Sequence, residues 1–395
     1  MQMLMMNNAN SLLSRDSFSL QLIIEEGIFL GRLLDQHERF PDNSPCLILT
    51  ALPFLTIAEH DAIPFLNRKL GLGLPTEDAR LTSIRHMTKS LDSKHFDFEA
   101  YSCQANKVIE HLNKQFYLFN KKTGSWIDWG RTNVGISYYE DAPIYASYSS
   151  THLFTQDSPD LLGTDEHKYE DQIGFSTGKS GRVLLEFAKS YFPSPEMYQT
   201  HRFHVKANDW KYGKLTASLE KQGIHDDSIF FFFSELLMLL SSVCALRSAG
   251  YFNDAAWLKY SSLTLDHAWR AIERFSGYHR KKGDKSTIPT DFLNSVSRLL
   301  NRDELKFINK THPLRNAMMH YDFTDKIVPI EVDGSDPWTV MSVASETVAG
   351  MSALEYGCEL FRVRDKLIDS ISELISFPNY KPTKRPLGWL GWLSL

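Results

Sequence analysis

Arg315-Asn316-Ala317-Met318-Met319-His320 sets a permanent cation, an amide and a titratable imidazole within six residues. Those groups suit cleavage of RNA without a metal. That reaction needs a base for the ribose 2′-hydroxyl proton, an acid for the departing 5′-oxygen, and a cation beside the phosphate oxygens. Histidine serves the proton transfers because its pKa lies near working pH. Arginine serves the phosphate because its planar fork stays charged and can bind two oxygens. On a helix, Asn316 and His320 share a face, whereas Arg315 is offset from His320 by about 140°. Convergence of Arg315 and His320 therefore requires a helix end or a second subunit.

The same spacing recurs in Arg32-Leu33-Leu34-Asp35-Gln36-His37 and in Arg274-Phe275-Ser276-Gly277-Tyr278-His279. What separates the third instance is its company: Asn directly after Arg, an apolar spacer, and a place among several helical segments. In these features the stretch from about Ile224 to Phe377 resembles the HEPN superfamily of prokaryotic defence and toxin ribonucleases. Its hallmark is Arg, four to six residues, then His, and Leu314 to Tyr321 follows that pattern. The resemblance implies a four- or five-helix bundle, a homodimer with a composite site at its interface, and cytoplasmic action without cofactor or metal. It also implies cleavage to 2′,3′-cyclic phosphate and 5′-hydroxyl ends, in a toxin or antiviral (abortive-infection) effector with an antitoxin or defence-system partner. Carried onto this chain, Arg315 and His320 are catalytic and Asn316 orients the phosphate or the imidazole. Glu235 and Tyr321 are supporting residues in this reading. The plainer reading of Glu235 is a carboxylate paired with Arg247.

Net charge is −5, so no global attraction for a polyanion exists. From Lys221 onward Lys plus Arg and Asp plus Glu each number 21, which leaves 22 basic and 27 acidic groups in the first 220 residues. A polyanion is thus better received by the C-terminal half. There Arg280, Lys281, Lys282 and Lys285 form a basic loop able to hold an RNA backbone. The four cysteines are far apart and none has metal-ligand or redox spacing, which fits a reducing cytosol. The first residues show no secretory pattern. Phe230 to Leu240 is strongly apolar, but Glu235 in its middle favours a buried bundle helix over a membrane span.

The elements that must position these residues read as follows. Leu20–Gln36 and Ser102–Phe116 have helical spacing, while Phe116–Phe119, Ser125–Trp129 and Gly135–Tyr139 read as strands, the first two joined by a turn at Asn120–Gly124. Trp126, Trp129, Tyr138 and Tyr139 are expected in a sheet core. Asp157–Asp171 reads as a loop and Gly178–Tyr191 as helix. After Gly223, Asp226-Asp227-Ser228 caps an apolar helix ended by Gly250. A second helix spans Asn253–Phe275, and a third stretch spans Asp291–Lys310 with a break near Asn301. Ile327–Ile330 reads as extended, and one long helix begins at Asp336-Pro337, its apolar residues recurring every three or four positions to Ile375. The expected class is therefore α+β: a mixed α/β domain over 1–222 with a regulatory or sensing role, an all-α HEPN-like bundle over 223–380, and a tail over 381–395.

Two further motifs are set aside. Gly174–Ser180 has three residues between its glycines where a Walker A loop needs four. His201-Arg202-Phe203-His204 lacks neighbouring acidic or thiol ligands for a metal. The alternative to a nuclease is a scaffold that keeps the fold and binds RNA or protein without cutting.

Overall fold

A computed structural model describes residues 15–74, 98–109, 133–146, 166–329 and 336–378. It is mostly helical, with one small antiparallel sheet. In chain order the helices are α1 (Asp16–Arg39), α2 (Ser44–Leu70), a helical segment over 98–109, α3 (Glu166–Tyr191), α4 (Tyr212–Lys221), α5 (Ser228–Ser248), α6 (Asp254–Lys282), α7 (Thr290–Ser297), α8 (Arg302–His320), α9 (Pro337–Ala349) and α10 (Ala353–Ile375). Strands β1 (Asn133–Tyr139), β2 (Ala142–Ala146) and β3 (Lys206–Lys211) are ordered β2-β1-β3. Tyr138 opposes Pro143 on one side of β1 and Lys206 on the other, and a register shift falls between Ser137 and Tyr138.

The apolar helix α5 forms the centre, with Phe230 to Phe233 all buried. Phe232 and Phe233 each meet Phe275 of α6 at 5.3 Å between ring centroids. Fully burying one such ring contributes on the order of 1.5–3 kcal/mol, so this cluster fixes the α5–α6 contact. On its other side β2 lies on α5, where the Ser242 hydroxyl donates to the Ile144 carbonyl. Both α2 and α5 are long and apolar enough to span a membrane by composition. Their most apolar windows are 67% and 83% buried inside the protein, so other elements cover most of that surface.

Several expectations are corrected here. Among the described residues the N-terminal part is mostly helical, with the small sheet beside it. Helix α2, for which the sequence analysis has no assignment, runs through Pro53 and Pro64 although proline removes a helical donor. Glu166–Asp171 belongs to α3 rather than a loop, and so does the glycine-rich stretch at Gly174–Ser180. Helix α6 runs to Lys282, so the basic residues 280–282 are helical and only Gly283–Lys285 turns. Ile327 and Val328 both donate to the Thr324 carbonyl in a turn, not an extended strand. The long final helix is two helices. Gly350 in the left-handed region (φ 64°) ends α9, and Ser352 with Glu355 caps α10 reciprocally. The strands expected at Phe116–Phe119 and Ser125–Trp129, with Trp126 and Trp129, and the tail from 381 lie outside the described residues.

One continuous core crosses residue 222. Helix α1 packs on α6 and α9, and α2 packs on α8. At its centre Lys259 and Glu26 are both fully buried, with Nζ 2.7 Å from Glu26 Oε1. The Tyr260 hydroxyl donates to the same carboxylate at 2.7 Å, and the Tyr321 hydroxyl donates to its other oxygen.

Candidate functional site

Helix α8 carries the motif, and its sequence explains why it forms. The Asn301 side chain accepts from the amides of Asp303 and Glu304, and Glu304 returns a bond from the Asn301 amide at 2.6 Å. This reciprocal cap satisfies otherwise orphaned donors. Buried Glu304 is also held by Arg362 (3.0 Å) and Lys366 (2.9 Å), which ties the start of α8 to α10. Phe307, Ile308, Leu314, Met318 and Met319 then bury one side of the helix.

Within the motif, Arg315 is 7% exposed and turns toward α6. Its Nε lies 3.4 Å from Asp266 Oδ2, its Nη1 donates to Asn316 Oδ1 at 2.7 Å, and its Nη2 meets His267 Nε2. Guanidinium can only donate, so His267 Nε2 is an unprotonated acceptor there. His320 occupies the last position of α8. Its side chain is 49% exposed, and Nδ1 lies 3.2 Å from Asp61 Oδ1 on α2. The structure therefore brings Arg315 and Asn316 together but gives Arg315 and His320 different neighbours. That division follows from their angular offset on a helix that continues straight through both residues.

The supporting residues are placed as follows. Glu235 accepts from the Tyr101 hydroxyl at 2.9 Å, while Arg247 donates to the Phe252 carbonyl and pairs with Asp254. The expected Glu235–Arg247 partnership is thus replaced by Tyr101, a residue from the other half of the chain. Tyr321 is buried: its hydroxyl meets Lys259 at 2.6 Å and Glu26, and its backbone closes α8 in the left-handed region. It anchors the segment beside His320 rather than lining an open site. Arg280, Lys281, Lys282 and Lys285 are exposed, with Arg280 on Ser297 and Lys282 on Glu99. At 1.5 Å per residue, Lys281 lies about 22 Å along α6 from Asp266, so this basic end does not adjoin Arg315.

A pocket that sequence reasoning missed opens beside Arg315, between α6, α8 and α10. It is a small, partly open cleft of about 10 Å³, room for about one water, and Asp266, His312, Arg315, Ser262, Thr311 and Tyr356 are among its lining residues. His312 Nδ1 lies 3.1 Å from Asp266 Oδ1, and the His312 side chain is 38% exposed. Arg270 Nε reaches the same Asp266 oxygen at 3.6 Å but also binds Glu273 and Asn309. Burial pushes the Asp266 carboxyl up, yet the His312 hydrogen bond and the charges of Arg315, His312 and Arg270 outweigh it and hold it below the usual range. Asp266 is thus an ionised carboxylate that fixes both an imidazole and a guanidinium. The signal for His312 was in plain view, one helical turn before Arg315, but Asp266 and His267 come from a different helix.

No cluster of His, Cys, Asp and Glu suited to a metal occurs among the described residues. In particular His201 and His204 belong to none. No protein-family model, curated protein or solved structure matches this chain.

Proposed function

We propose that this chain is a metal-independent endoribonuclease of HEPN type, cleaving RNA to 2′,3′-cyclic phosphate and 5′-hydroxyl ends. Arg315 and His320 are its catalytic residues and Asn316 orients the phosphate or the imidazole. The observation that carries the reading is the setting of α8. One helix presents a guanidinium held by Asn316 and Asp266 and an exposed imidazole held by a second carboxylate, Asp61. A carboxylate on Nδ1 leaves Nε2 as the nitrogen for proton transfer. The different neighbours of Arg315 and His320 within one copy are reconciled by a homodimer, in which a second copy completes the site. The biological role in this reading is a cytoplasmic toxin or antiviral effector.

A second reading, a scaffold that binds RNA or protein without cutting, is favoured by the burial of Arg315 and its ion pair to Asp266. The decisive experiment incubates wild type, Arg315→Ala and His320→Ala with total RNA and EDTA and analyses the fragment termini. Wild type is expected to leave cyclic-phosphate ends, and each folded variant to be slower by about 10²–10⁴-fold. Equal cleavage by all three would sink the assignment. A folded, dimeric wild type that leaves every RNA intact would establish the scaffold.

A further inference from the structure

We infer that the last turn of α6, the turn after it, the end of α7 and the start of α8 together form a docking surface for the phosphate backbone of single-stranded RNA. The inference rests on the ribonuclease reading for the identity of the polyanion, and it uses none of the residues to which that reading gives the reaction.

Charge density is the first argument. From Arg274 to Arg302 the chain carries seven Lys and Arg against two Asp and Glu, in a protein whose net charge is −5. Arg280, Lys281, Lys285, Arg298 and Arg302 are all exposed. Among the described residues none of these five has an ion-pair partner, and Arg280 meets the neutral hydroxyl of Ser297 instead. Lys282 stands apart from them, because Glu99 pairs with it at 3.3 Å. The acidic groups at this end are Asp284, Asp291 and Asp303, and Asp303 is taken by Lys306 at 3.1 Å.

Packing is the second, since it gathers these cations from separate elements. Lys259 meets Tyr321 at 2.6 Å and Arg270 meets Asn309 at 2.8 Å, so α6 and α8 run antiparallel. The start of α8, with Arg302, therefore lies toward the end of α6. The Arg280–Ser297 contact brings that end of α6 to the end of α7, where Arg298 follows directly. His279 Nδ1, 3.1 Å from the Ser286 hydroxyl, fixes the turn that carries Lys285.

The third argument is what local stability leaves unexplained. Cations in the last turn of a helix offset its dipole, which accounts for Arg280, Lys281 and Arg298. Lys285 lies beyond the last turn of α6. Arg302 opens α8, at the end where the dipole disfavours a positive charge. A bound polyanion compensates both, and the counterions it releases supply affinity. Lys281 is about 22 Å along α6 from Asp266, so a long RNA reaches both this surface and the motif helix, whereas a dinucleotide cannot.

The test uses the full chain and a labelled 2′-O-methyl oligoribonucleotide, which lacks the hydroxyl needed for cleavage. Binding is followed by fluorescence anisotropy over a range of salt concentrations. Two double variants, Lys281→Gln with Lys285→Gln and Arg298→Gln with Arg302→Gln, are compared with wild type. A control pair, Lys206→Gln with Lys211→Gln on β3, removes the same charge from another exposed surface. Each test pair is expected to weaken binding and to flatten the slope of log affinity against log salt by about 1.4, two phosphate contacts at 0.7 each. Equal losses in the control pair would reduce the effect to net charge and overturn the surface. Absence of binding by wild type at low salt would overturn it too, as would equally tight binding of polyglutamate, which would mark an acidic-protein surface. On cleavable RNA, both test pairs are expected to lose more kcat/KM with a long strand than with a dinucleotide. Cleavage with binding and salt slope unaltered in both pairs would sink the surface and leave the ribonuclease reading intact. Salt-sensitive binding through these residues by a wild type that cuts no RNA would do the reverse.

Discussion

Two buried groups with opposite shifts govern how the fold responds to pH. Glu25 on α1 accepts from the Ala256 amide at 2.9 Å, in the first turn of α6, and from Gln21 at 2.8 Å. Burial nevertheless pushes its carboxyl up to about 7 from an ordinary 4.5. Burial pushes His279 the other way, to about 4 from 6.5, and the Lys282 charge adds to that. Folded Glu25 holds its proton where the unfolded chain has lost it. Its stabilising contribution is therefore full below pH 4.5 and is lost as pH rises through 7. Folded His279 stays neutral where the unfolded chain is protonated. Its contribution is present above pH 6.5 and is lost as pH falls through 4. Each shift corresponds to roughly 3 kcal/mol, so between pH 4.5 and 6.5 these two contributions oppose one another, and buried Glu59, also pushed well up by burial, adds to the Glu25 side. Relative to wild type, Glu25→Gln is expected to make the change of stability with rising pH across that window more positive, and His279→Gln to make it more negative. Urea midpoints at the two ends of the window measure both. Parallel curves for all three proteins would mean that these groups are solvated.

At the scale of elements, helix α1 approaches α3 through Gly27. A Cβ there would fall 2.6 Å from Ala188 Cβ and closer still to the Leu184 carbonyl oxygen. Gly27→Ala is therefore expected to destabilise by about 1–3 kcal/mol through overpacking, despite alanine's better helix propensity. A thermal melt unchanged or raised in that variant would show that the two helices can separate without cost. The break near Asn301 was legible, and the reciprocal cap between Asn301 and Glu304 is its physical cause. The break at Gly350 was not, because Met341, Ala344, Val348 and Met351 keep a helical rhythm across it. Apolar period reports which face is buried, not whether the backbone is continuous. Pro313 lies inside α8, and its missing donor was tolerated within an otherwise capped and packed helix.

For the whole molecule, the expected boundary at residue 222 runs through shared interior. Tyr101 reaches Glu235, Ser102 reaches Asp226, and Lys259 depends on Glu26 for its buried charge. Removing one partner of a buried ion pair typically costs about 3–5 kcal/mol, and here the Lys259 charge would also face solvent-stripped apolar surface. A fragment beginning at Ile224 is therefore expected to bind a hydrophobic dye and to melt without cooperativity. A cooperative melt of that fragment would instead make the C-terminal helices an autonomous unit. His320 adds a reason to keep the chain whole, since the carboxylate beside it, Asp61, comes from α2.

The sequence by itself determined the helical C-terminal half, the buried apolar helix α5 and its start at Asp226–Ser228, the break near Asn301, and the placing of Arg315, Asn316 and His320 on one helical segment. Those are local matters of period, capping and angular offset, which a chain displays along its length. Only the tertiary structure decided what each group faces. It turned Arg315 toward Asp266 and His267, set His320 against Asp61, and brought His312 to the same Asp266. It also drew α2 out of a proline-bearing stretch whose helical form depends on the surface it buries against its neighbours. The reason is the same in each case: partners far apart in sequence are chosen by packing, and no local pattern records that choice.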